Sequence, residues 1–425
     1  MKPRNYKEYE EDHKMKNNSK NKLLMSIAAL LVIAALSGCT LAAGSSTDNG
    51  QDDNSVNQKI TADASESTAL NSVNVSSSTD GKPDVTDKDK DTSYDESKAQ
   101  KIDMSAGTGT VNITGEGTYI VTGSTSDGMI VIEVSEEEDV HLVLRDASIT
   151  SKTSAAVYII SADEVYITLE GNNTLANGGT FKAIDENDID SVIYSKDDLT
   201  VNGSGTLNIT SPAGHGIVCK DDMVITGGTI NIDAKEDGIN TNDSLAVTDG
   251  AITVKVSDDA VHTDGFLLIE GGTFDLTAAE GLEGTYVMVN GGDITINASD
   301  DGINAAHKSD SYSPVIEING GNIRITMGAG DTDGLDSNGD IIINGGTVDI
   351  TGRSACDYDG KAEFNGGKLI VNGTEVNTIP NQMMGGGGRG GNNGEMPGNG
   401  EDFGRGGQMP DQRGNRGGQG GRSGF

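Results

Sequence analysis

Residues 227–254 read GGTINIDAKEDGINTNDSLAVTDGAITV and contain one full repeat unit of the chain. A glycine turn opens this stretch at Gly227-Gly228, and the next turn, Asp249-Gly250, closes it. Equivalent turns place their second residue at positions 205, 228, 250, 272, 292, 321, 346 and 367, so successive turns lie 20–29 residues apart. A repeat of this length predicts a solenoid, because each unit can bury its apolar face only against its neighbours.

The pattern inside one repeat predicts the type of solenoid. After the turn, Ile230 and Ile232 alternate with polar residues, and this period of two is typical of a β-strand. A second short apolar run precedes the turn at residues 223–225, and a third short segment lies at residues 237–240. Three short strands per repeat predict an all-β fold, namely a right-handed parallel β-helix with about 20–29 residues per coil.

Acidic residues recur at nearly the same place in each coil. Stacked coils lie ~4.8 Å apart, so these carboxylates would form a column on one face, and such a column is destabilising without a counter-charge. Oxygen ligands in excess, with few His or Cys nearby, select Ca2+. The predicted calcium ligands are Asp237, Asp259, Glu280, Glu283, Asp301, Asp333 and Asp336. The alternative is that these acids are solvated turn residues, since Asp-Gly is ordinary turn chemistry.

The N-terminus has the organisation of an export signal. A basic segment is followed by an apolar run from Leu23 to Leu36, which is short for a membrane-spanning helix of ~20 residues. The ending Leu36-Ser-Gly-Cys39 resembles the lipobox of bacterial lipoproteins. That resemblance implies that Cys39 is lipidated and that a lipid anchor holds the protein on the extracellular face of the bacterial cell membrane. The true start is either Met1 or Met15.

Composition divides the rest of the chain. Residues 40–100 are rich in Ser, Thr and Asp and are predicted to form a disordered linker after the signal peptide at 1–39. Residues 101–379 form the predicted β-helix domain, and residues 380–425 are predicted to be a disordered Gly/Arg-rich tail. Cys219 and Cys356 would lie six coils apart, so we expect both to be free and buried.

The formal net charge of −36 excludes ordinary nucleic-acid binding and favours cations, or partners that cations bridge. The chain has no Trp, and aromatic residues are 4% of the total. Flat aromatic strips are therefore scarce, which favours acidic or soluble glycans over crystalline cellulose. We expect the protein to be a monomer.

Several segments resemble a bacterial family of carbohydrate-binding β-helix lipoproteins, whose fold is similar to that of pectate lyases. They are residues 115–124, 140–149, 193–207 and 216–223, together with the Asp-Gly-Ile coils. The resemblance covers roughly residues 101–375. It implies binding of cell-wall polysaccharide, cellulose or acidic sugars, with calcium on the β-helix. It assigns no catalytic residue.

Three functions remain open at this point. The first is non-catalytic polysaccharide binding, with Asp301, Lys308 and Tyr312 as candidate contacts; the last two lie in the longest coil, whose excess residues predict a loop. The second is a calcium-dependent, pectate-type lyase, in which Lys308, Arg324 or Arg353 would remove the proton. The third is a structural adhesin or spacer.

Overall fold

The computed structural model describes residues 81–107, 109–329 and 332–381. The predicted signal peptide with Cys39, residues 40–80 of the predicted linker and residues 382–425 of the predicted tail lie outside the described residues. Among the helices of the described part, none has the length and apolar character needed to cross a membrane.

The described chain is almost entirely β-structure. A single helical turn, α1 (Asp87–Lys90), and a 3-10 turn at Met104–Ala106 accompany the strands. The first strands are β1 (Gln100–Asp103), β2 (Gly109–Ile113), β3 (Gly117–Thr125), β4 (Gly128–Glu133), β5 (Val140–Ser151), β6 (Val157–Ser161), β7 (Glu164–Glu170), β8 (Asn172–Asn177), β9 (Ser191–Ser195), β10 (Asp198–Gly203) and β11 (Thr206–Ser211). The middle strands are β12 (His215–Cys219), β13 (Met223–Ile225), β14 (Thr229–Ala234), β15 (Ile239–Thr241), β16 (Ser244–Val247), β17 (Ala251–Lys255), β18 (Val261–Thr263), β19 (Phe266–Ile269), β20 (Thr273–Ala278), β21 (Leu282–Gly284) and β22 (Tyr286–Val289). The last are β23 (Asp293–Ala298), β24 (Ile303–Ala305), β25 (Val315–Ile318), β26 (Asn322–Met327), β27 (Asp333–Ser337), β28 (Asp340–Ile343), β29 (Thr347–Thr351), β30 (Ser354–Tyr358), β31 (Ala362–Phe364), β32 (Lys368–Val371) and β33 (Thr374–Val376).

Each coil contributes strands to three faces. Face 1 is an 11-stranded sheet made of β2, β4, β6, β9, β12, β15, β18, β21, β24, β27 and β30. Face 2 contains β1, the first halves of β3 and β5, then β7, β10, β13, β16, β19, β22, β25, β28 and β31. Face 3 contains the second halves of β3 and β5, then β8, β11, β14, β17, β20, β23, β26, β29 and β32. Coil-to-coil pairing is parallel on every face, and only the terminal pair β32–β33 is antiparallel within the described residues. The predicted parallel β-helix is therefore confirmed.

The alternation of apolar residues builds the core. In β20, exposed and buried residues alternate strictly, and the buried ones stack on the equivalent residues of β17 and β23. The turns between faces 2 and 3 require glycine, because Gly228, Gly250 and Gly272 have φ of 91°, 126° and 94°. Cys219 and Cys356 are free and buried, as predicted.

The outward side chains of face 2 form a continuous row from coil to coil, which we call the central row. It comprises Thr118, His141, Tyr166, Thr200, Val224, Ala246, Leu268 and Met288. Several of these residues are almost fully buried although they point away from the core: Thr200 and Ala246 have no exposed surface, and Leu268 is 1% exposed. Another part of the chain must therefore cover this row.

That covering segment is residues 82–99, which we call the N-terminal strap. Val85 packs against the apolar cluster of Val224, Ala246, Phe266, Leu268 and Met288. Further along, the Asp89 side chain accepts a 2.8 Å hydrogen bond from Thr200 Oγ1, and the Tyr94 ring meets the His141 ring edge-on at 5.5 Å. The structure thus differs from the predicted linker over residues 81–100. Asp89, which is 4% exposed, holds this segment on face 2 together with Val85 and Tyr94. Composition alone does not reveal such isolated contacts.

Candidate functional site

Two columns of polar side chains run along face 1. The corner column lies where each coil enters face 1 and comprises His215, Asp237, Asp259, Glu280, Asp301, Asp333 and Ser354. The face column stands three residues later in each coil and comprises Asn240, His262, Glu283, Asn304, Asp336 and Asp357. The register of the strands therefore brings together the acidic residues that were predicted to stack.

Backbone amides hold part of the corner column in place. The amide of Asp259 donates to Asp237 Oδ1 at 3.0 Å, and the amide of Asp333 donates to Asp301 Oδ1 at 3.0 Å. Each of these carboxylates thus accepts a hydrogen bond from the equivalent residue of the next coil. An acid at this position therefore stabilises the stacking of coils as well as contributing charge.

Protein cations neutralise the middle of the columns. Glu283 Oε2 lies 2.5 Å from His262 Nδ1, and Glu283 Oε1 lies 2.9 Å from Lys308 Nζ. Burial opposes ionisation of Glu283, but these contacts lower its pKa to about 2. Burial alone would lower the pKa of His262, but hydrogen bonds to Asp259, Asp264 and Glu283 raise it to about 12. His262 is therefore a buried imidazolium between carboxylates.

The beginning of the columns has a similar pairing. His215 Nδ1 lies 3.2 Å from Asp237 Oδ2, and Asn240 Nδ2 donates to the same oxygen at 2.7 Å. Burial opposes ionisation of Asp237, but the contacts with His215 and Asn240 lower its pKa. Two of the predicted metal ligands, Asp237 and Glu283, are thus already bound to protein donors.

Carboxyl groups with raised pKa values lie close together from Glu280 onward. Burial raises the pKa of Glu280 to about 8, and the nearby charge of Glu283 contributes. Burial also raises the pKa of Asp301 to about 7, with Asp336 among the contributing charges, and that of Asp336 to about 6. This stretch of the columns is therefore costly in its ionised form, and a bound cation would relieve the cost.

Asn304 lies at the centre of that stretch. Its Nδ2 donates to Glu280 Oε2 at 2.9 Å and to Glu283 Oε1 at 3.3 Å. Its Oδ1 is buried and has no hydrogen-bond partner among the described residues, which is unusual for a residue that is only 8% exposed. Oxygens of Asp259, Glu280 and Glu283 approach within 4.8 Å of one another beside it. A buried amide oxygen without a partner, on a side chain whose amide nitrogen binds two carboxylates, is an oxygen donor of the kind that Ca2+ accepts.

The remaining predicted residues lie in different places. Arg324 is exposed on β26 of face 3, away from both columns, and Arg353 is exposed immediately before Ser354 at the end of the corner column. Tyr312 lies in the loop 306–314, where its ring meets Phe266 at 5.7 Å and its hydroxyl donates to the Gly81 carbonyl. Lys308 of the same loop reaches the columns.

Sequence reasoning missed the roles of His262 and Asn304. Their positions, three residues after Asp259 and Asp301, could have indicated a second column, because the coils from Asn240 to Asp357 have a polar residue there. A further acidic group lies at the corner between faces 1 and 2, where oxygens of Asp198, Asp221 and Asp222 approach within 4.8 Å of one another. Burial, followed by the charge of Asp198, raises the pKa of Asp221 to about 9.

Known proteins resemble this chain along the β-helix. Residues 107–284 and 267–379 match the model of the family described as carbohydrate-binding domain-containing protein. A curated carbohydrate-binding domain-containing protein from Acetivibrio thermocellus is 34% identical over 145 residues, which cover 33% of this chain and 51% of the relative, so the match spans about half of that protein. The solved structure of a polysaccharide lyase-like protein from C. thermocellum is 26% identical, with a TM-score of 0.36 over 62% of this chain and 85% of that chain. Because the family matches run from residue 107 to residue 379, well over half of the sequence, the chain belongs to the family of carbohydrate-binding domain-containing proteins.

Proposed function

We propose that the protein binds acidic polysaccharide through calcium held on face 1, without turning the polysaccharide over. Membership of the carbohydrate-binding family supports polysaccharide as the partner. The observation that carries the calcium proposal is the buried Oδ1 of Asn304, unpartnered among the described residues, within a stretch of carboxylates whose pKa values are raised.

The proposed ion lies along the columns between Glu280 and Asp336, with Asp301 and Asn304 among its ligands. Asp333, next to Asp301 in the corner column, is a further candidate. Calcium accepts six to eight oxygen ligands in flexible geometry, so a partly exposed site keeps positions for water or for a sugar carboxylate. A bound ion would neutralise the columns and attract the uronate groups that the bare acidic surface repels.

The contacts of Lys308 favour binding over lyase chemistry. A lysine that removes a proton needs a lowered pKa, so that it is neutral near the working pH. Burial lowers the pKa of Lys308, but its contact with Glu283 outweighs burial and raises it. Lys308 is therefore a fixed positive charge, which suits a hydrogen bond to a glycan oxygen better than proton removal.

Calorimetric titration with polygalacturonate in calcium, and again in chelator, tests the proposal. Asp301→Asn keeps the size of the side chain and removes its charge, so we expect at least about tenfold weaker calcium-dependent binding, or about 1.4 kcal/mol. Asp275→Asn, on exposed face 3, is the matched control and should bind like the wild type. Equal affinities for all three proteins, or wild-type binding that is the same in calcium and in chelator, would refute the calcium site. An unsaturated product, detected by its ultraviolet absorbance, would establish lyase activity instead.

We further propose that Cys39 carries a lipid that anchors the protein on the extracellular face of the cell membrane. The Leu36-Ser-Gly-Cys39 sequence supports this proposal. Cys39→Ala should release the protein from the membrane fraction and abolish fatty-acid labelling. Identical labelling of the two forms would contradict it.

A further inference from the structure

An open pocket of about 400 Å3 lies between the N-terminal strap and face 2. Lys88, Asp91 and Ser93 line it from the strap, while His141 and Tyr166 belong to the central row that forms its floor. Thr118 continues this row beside His141, and Glu116 and Asp139 also line the pocket. The volume lies in the range of about 300–1,000 Å3 that small-molecule sites occupy.

Contacts on both sides of the pocket hold the strap in place. On one side, Asp89 accepts from Thr200 Oγ1 at 2.8 Å, and Thr226 Oγ1 donates to the Asp89 carbonyl at 2.9 Å. On the other side, Arg145 contacts Tyr94 and binds Glu96 Oε1 at 3.2 Å. The pocket wall formed by the strap is therefore fixed at two points, and the groups between them keep a defined geometry.

His141 has unused hydrogen-bonding capacity beside the ion pair of the pocket. In that pair, Asp139 Oδ2 binds Lys88 Nζ at 2.8 Å, and Lys88 Nζ lies 4.9 Å from the centre of the Tyr166 ring. Burial lowers the pKa of His141, while Asp91 and Glu170 oppose the effect, so the imidazole is neutral at pH 7 and can donate from one nitrogen and accept at the other. Its Nε2 lies 2.7 Å from Thr168 Oγ1, which leaves Nδ1 as the second polar atom of the ring.

We propose that this pocket is a second sugar-binding site, specific for an uncharged sugar residue and independent of calcium. Carboxylate oxygens, an ammonium, a hydroxyl and a neutral imidazole offer both donors and acceptors, which is the mixture that adjacent sugar hydroxyls require. The ring of His141, which is half-buried, supplies apolar surface for the C–H groups of a pyranose.

The charge of the pocket selects against acidic sugars. Asp91, Glu116 and Asp139 carry three negative charges against the single positive charge of Lys88, which Asp139 already binds. A uronate carboxylate would meet this excess of like charge without a bridging cation. The pocket thus complements the proposed calcium site on face 1, because the two sites would bind different residues of a mixed polysaccharide.

Sugar binding should be linked to docking of the strap, since Lys88, Asp91 and Ser93 reach the pocket only when the strap lies on face 2. A ligand that binds only the docked form stabilises that form by mass action. Trypsin cleavage after Lys88 and Lys90 reports the undocked form, because a protease needs an extended, released segment.

The test titrates the full chain with neutral hexasaccharides (cellohexaose, xylohexaose and mannohexaose), in calcium and in chelator. Thr118→Trp fills the pocket from an outward position on β3, and Thr118→Val is its conservative control. We expect at least one neutral hexasaccharide to bind equally with and without calcium, and to bind at least about tenfold more weakly to Thr118→Trp than to Thr118→Val. Asp139→Ala should weaken the same binding.

Asp301→Asn separates this site from the one on face 1, because it should leave neutral-sugar binding unchanged whether or not it affects polygalacturonate. The bound hexasaccharide should also slow trypsin cleavage after Lys88 and Lys90 in the wild type but not in Thr118→Trp. The proposal is overturned if none of the hexasaccharides binds, if their binding requires calcium or is lost in Asp301→Asn, if Thr118→Trp binds normally, or if the strap gains no protection.

Discussion

Lys308 Nζ lies 2.9 Å from Glu283 Oε1, and the Glu283 side chain is 3% exposed. The lysine comes from the loop 306–314 between β24 and β25, whereas the carboxylate belongs to β21, in the preceding coil. A loop insertion thus supplies a counter-charge to a strand residue that stacking would otherwise place among like charges. The loop is therefore part of the electrostatic balance of face 1.

Removal of this lysine should destabilise the fold. Lys308→Met leaves Glu283 buried with His262 as its remaining ionic partner, and we expect a loss of about 1–2 kcal/mol, because Lys308 is partly exposed and solvent screens the pair. Lys255→Met, on exposed β17, is the control and should change stability by less than about 0.5 kcal/mol. Chemical denaturation measures both, and equal midpoints would contradict the prediction.

His262 should give the protein a distinctive pH dependence. Its folded pKa of about 12 lies above the unfolded value of about 6.5, so its contribution is complete below that unfolded value and is lost as pH rises toward the folded one. His262→Gln should therefore be most destabilising at pH ~6, and the difference from wild type should shrink by up to about 1.4 kcal/mol per pH unit above ~6.5. A difference that is constant from pH 6 to 9 would mean that the imidazole is not charged in the fold.

Asp301 should destabilise the fold when it is charged, whereas the charge of His262 stabilises it. Its folded pKa of about 7 lies above the unfolded value of about 3.9, so stability is lost as pH rises from about 4 through 7. In chelator, Asp301→Asn should therefore stabilise the protein by about 1–2 kcal/mol at pH 8 and by less at pH 5. In calcium the same substitution should reduce the stabilisation by the ion. Melting curves at both pH values check the sign, and destabilisation at pH 8 in chelator would count against it.

The N-terminal strap should leave face 2 more readily when its contacts with Arg145 are removed. Arg145 Nε binds Glu170 Oε2 at 2.6 Å, and the same guanidinium contacts Tyr94 and Glu96. Arg145→Met should raise the rate of trypsin cleavage after Lys88 and Lys90 several-fold, while global stability falls by only about 1 kcal/mol. Lys152→Met removes an exposed pair with Asp127 away from the strap and serves as the control. Equal cleavage rates in the two variants would show that the contacts of Arg145 do not hold the strap on face 2.

The sequence predicts the coils well because each coil is determined by residues that lie close together in the chain. Each glycine turn needs φ above zero, each following strand alternates, and the acids recur at a nearly constant offset, so the stacking of Asp237, Asp259 and Asp301 follows from the repeat itself. The calcium itself stays a prediction, as does the lipid on Cys39.

The contacts that cross between coils could not be predicted in this way. Lys308 reaches Glu283 through a loop whose path no periodicity describes. Asn304 is a candidate ligand because its Oδ1 is buried without a partner among the described residues, and no sequence pattern indicates that. The strap resembles a linker in composition, and its position depends on isolated anchors such as Val85 and Asp89. Irregular segments are held by single contacts, which leave no repeating signal.

The strap also determines how the β-helix would bear mechanical load. Gly81 lies beside Tyr312 and Lys82 binds Glu270, many coils away from β1, where the chain enters the first coil. Tension applied upstream of Gly81 would peel the strap off face 2 one contact at a time before any strand of the β-helix is loaded. Such unzipping needs less force than shearing a row of parallel bonds together. The strap would therefore extend under tension while the coils stay folded.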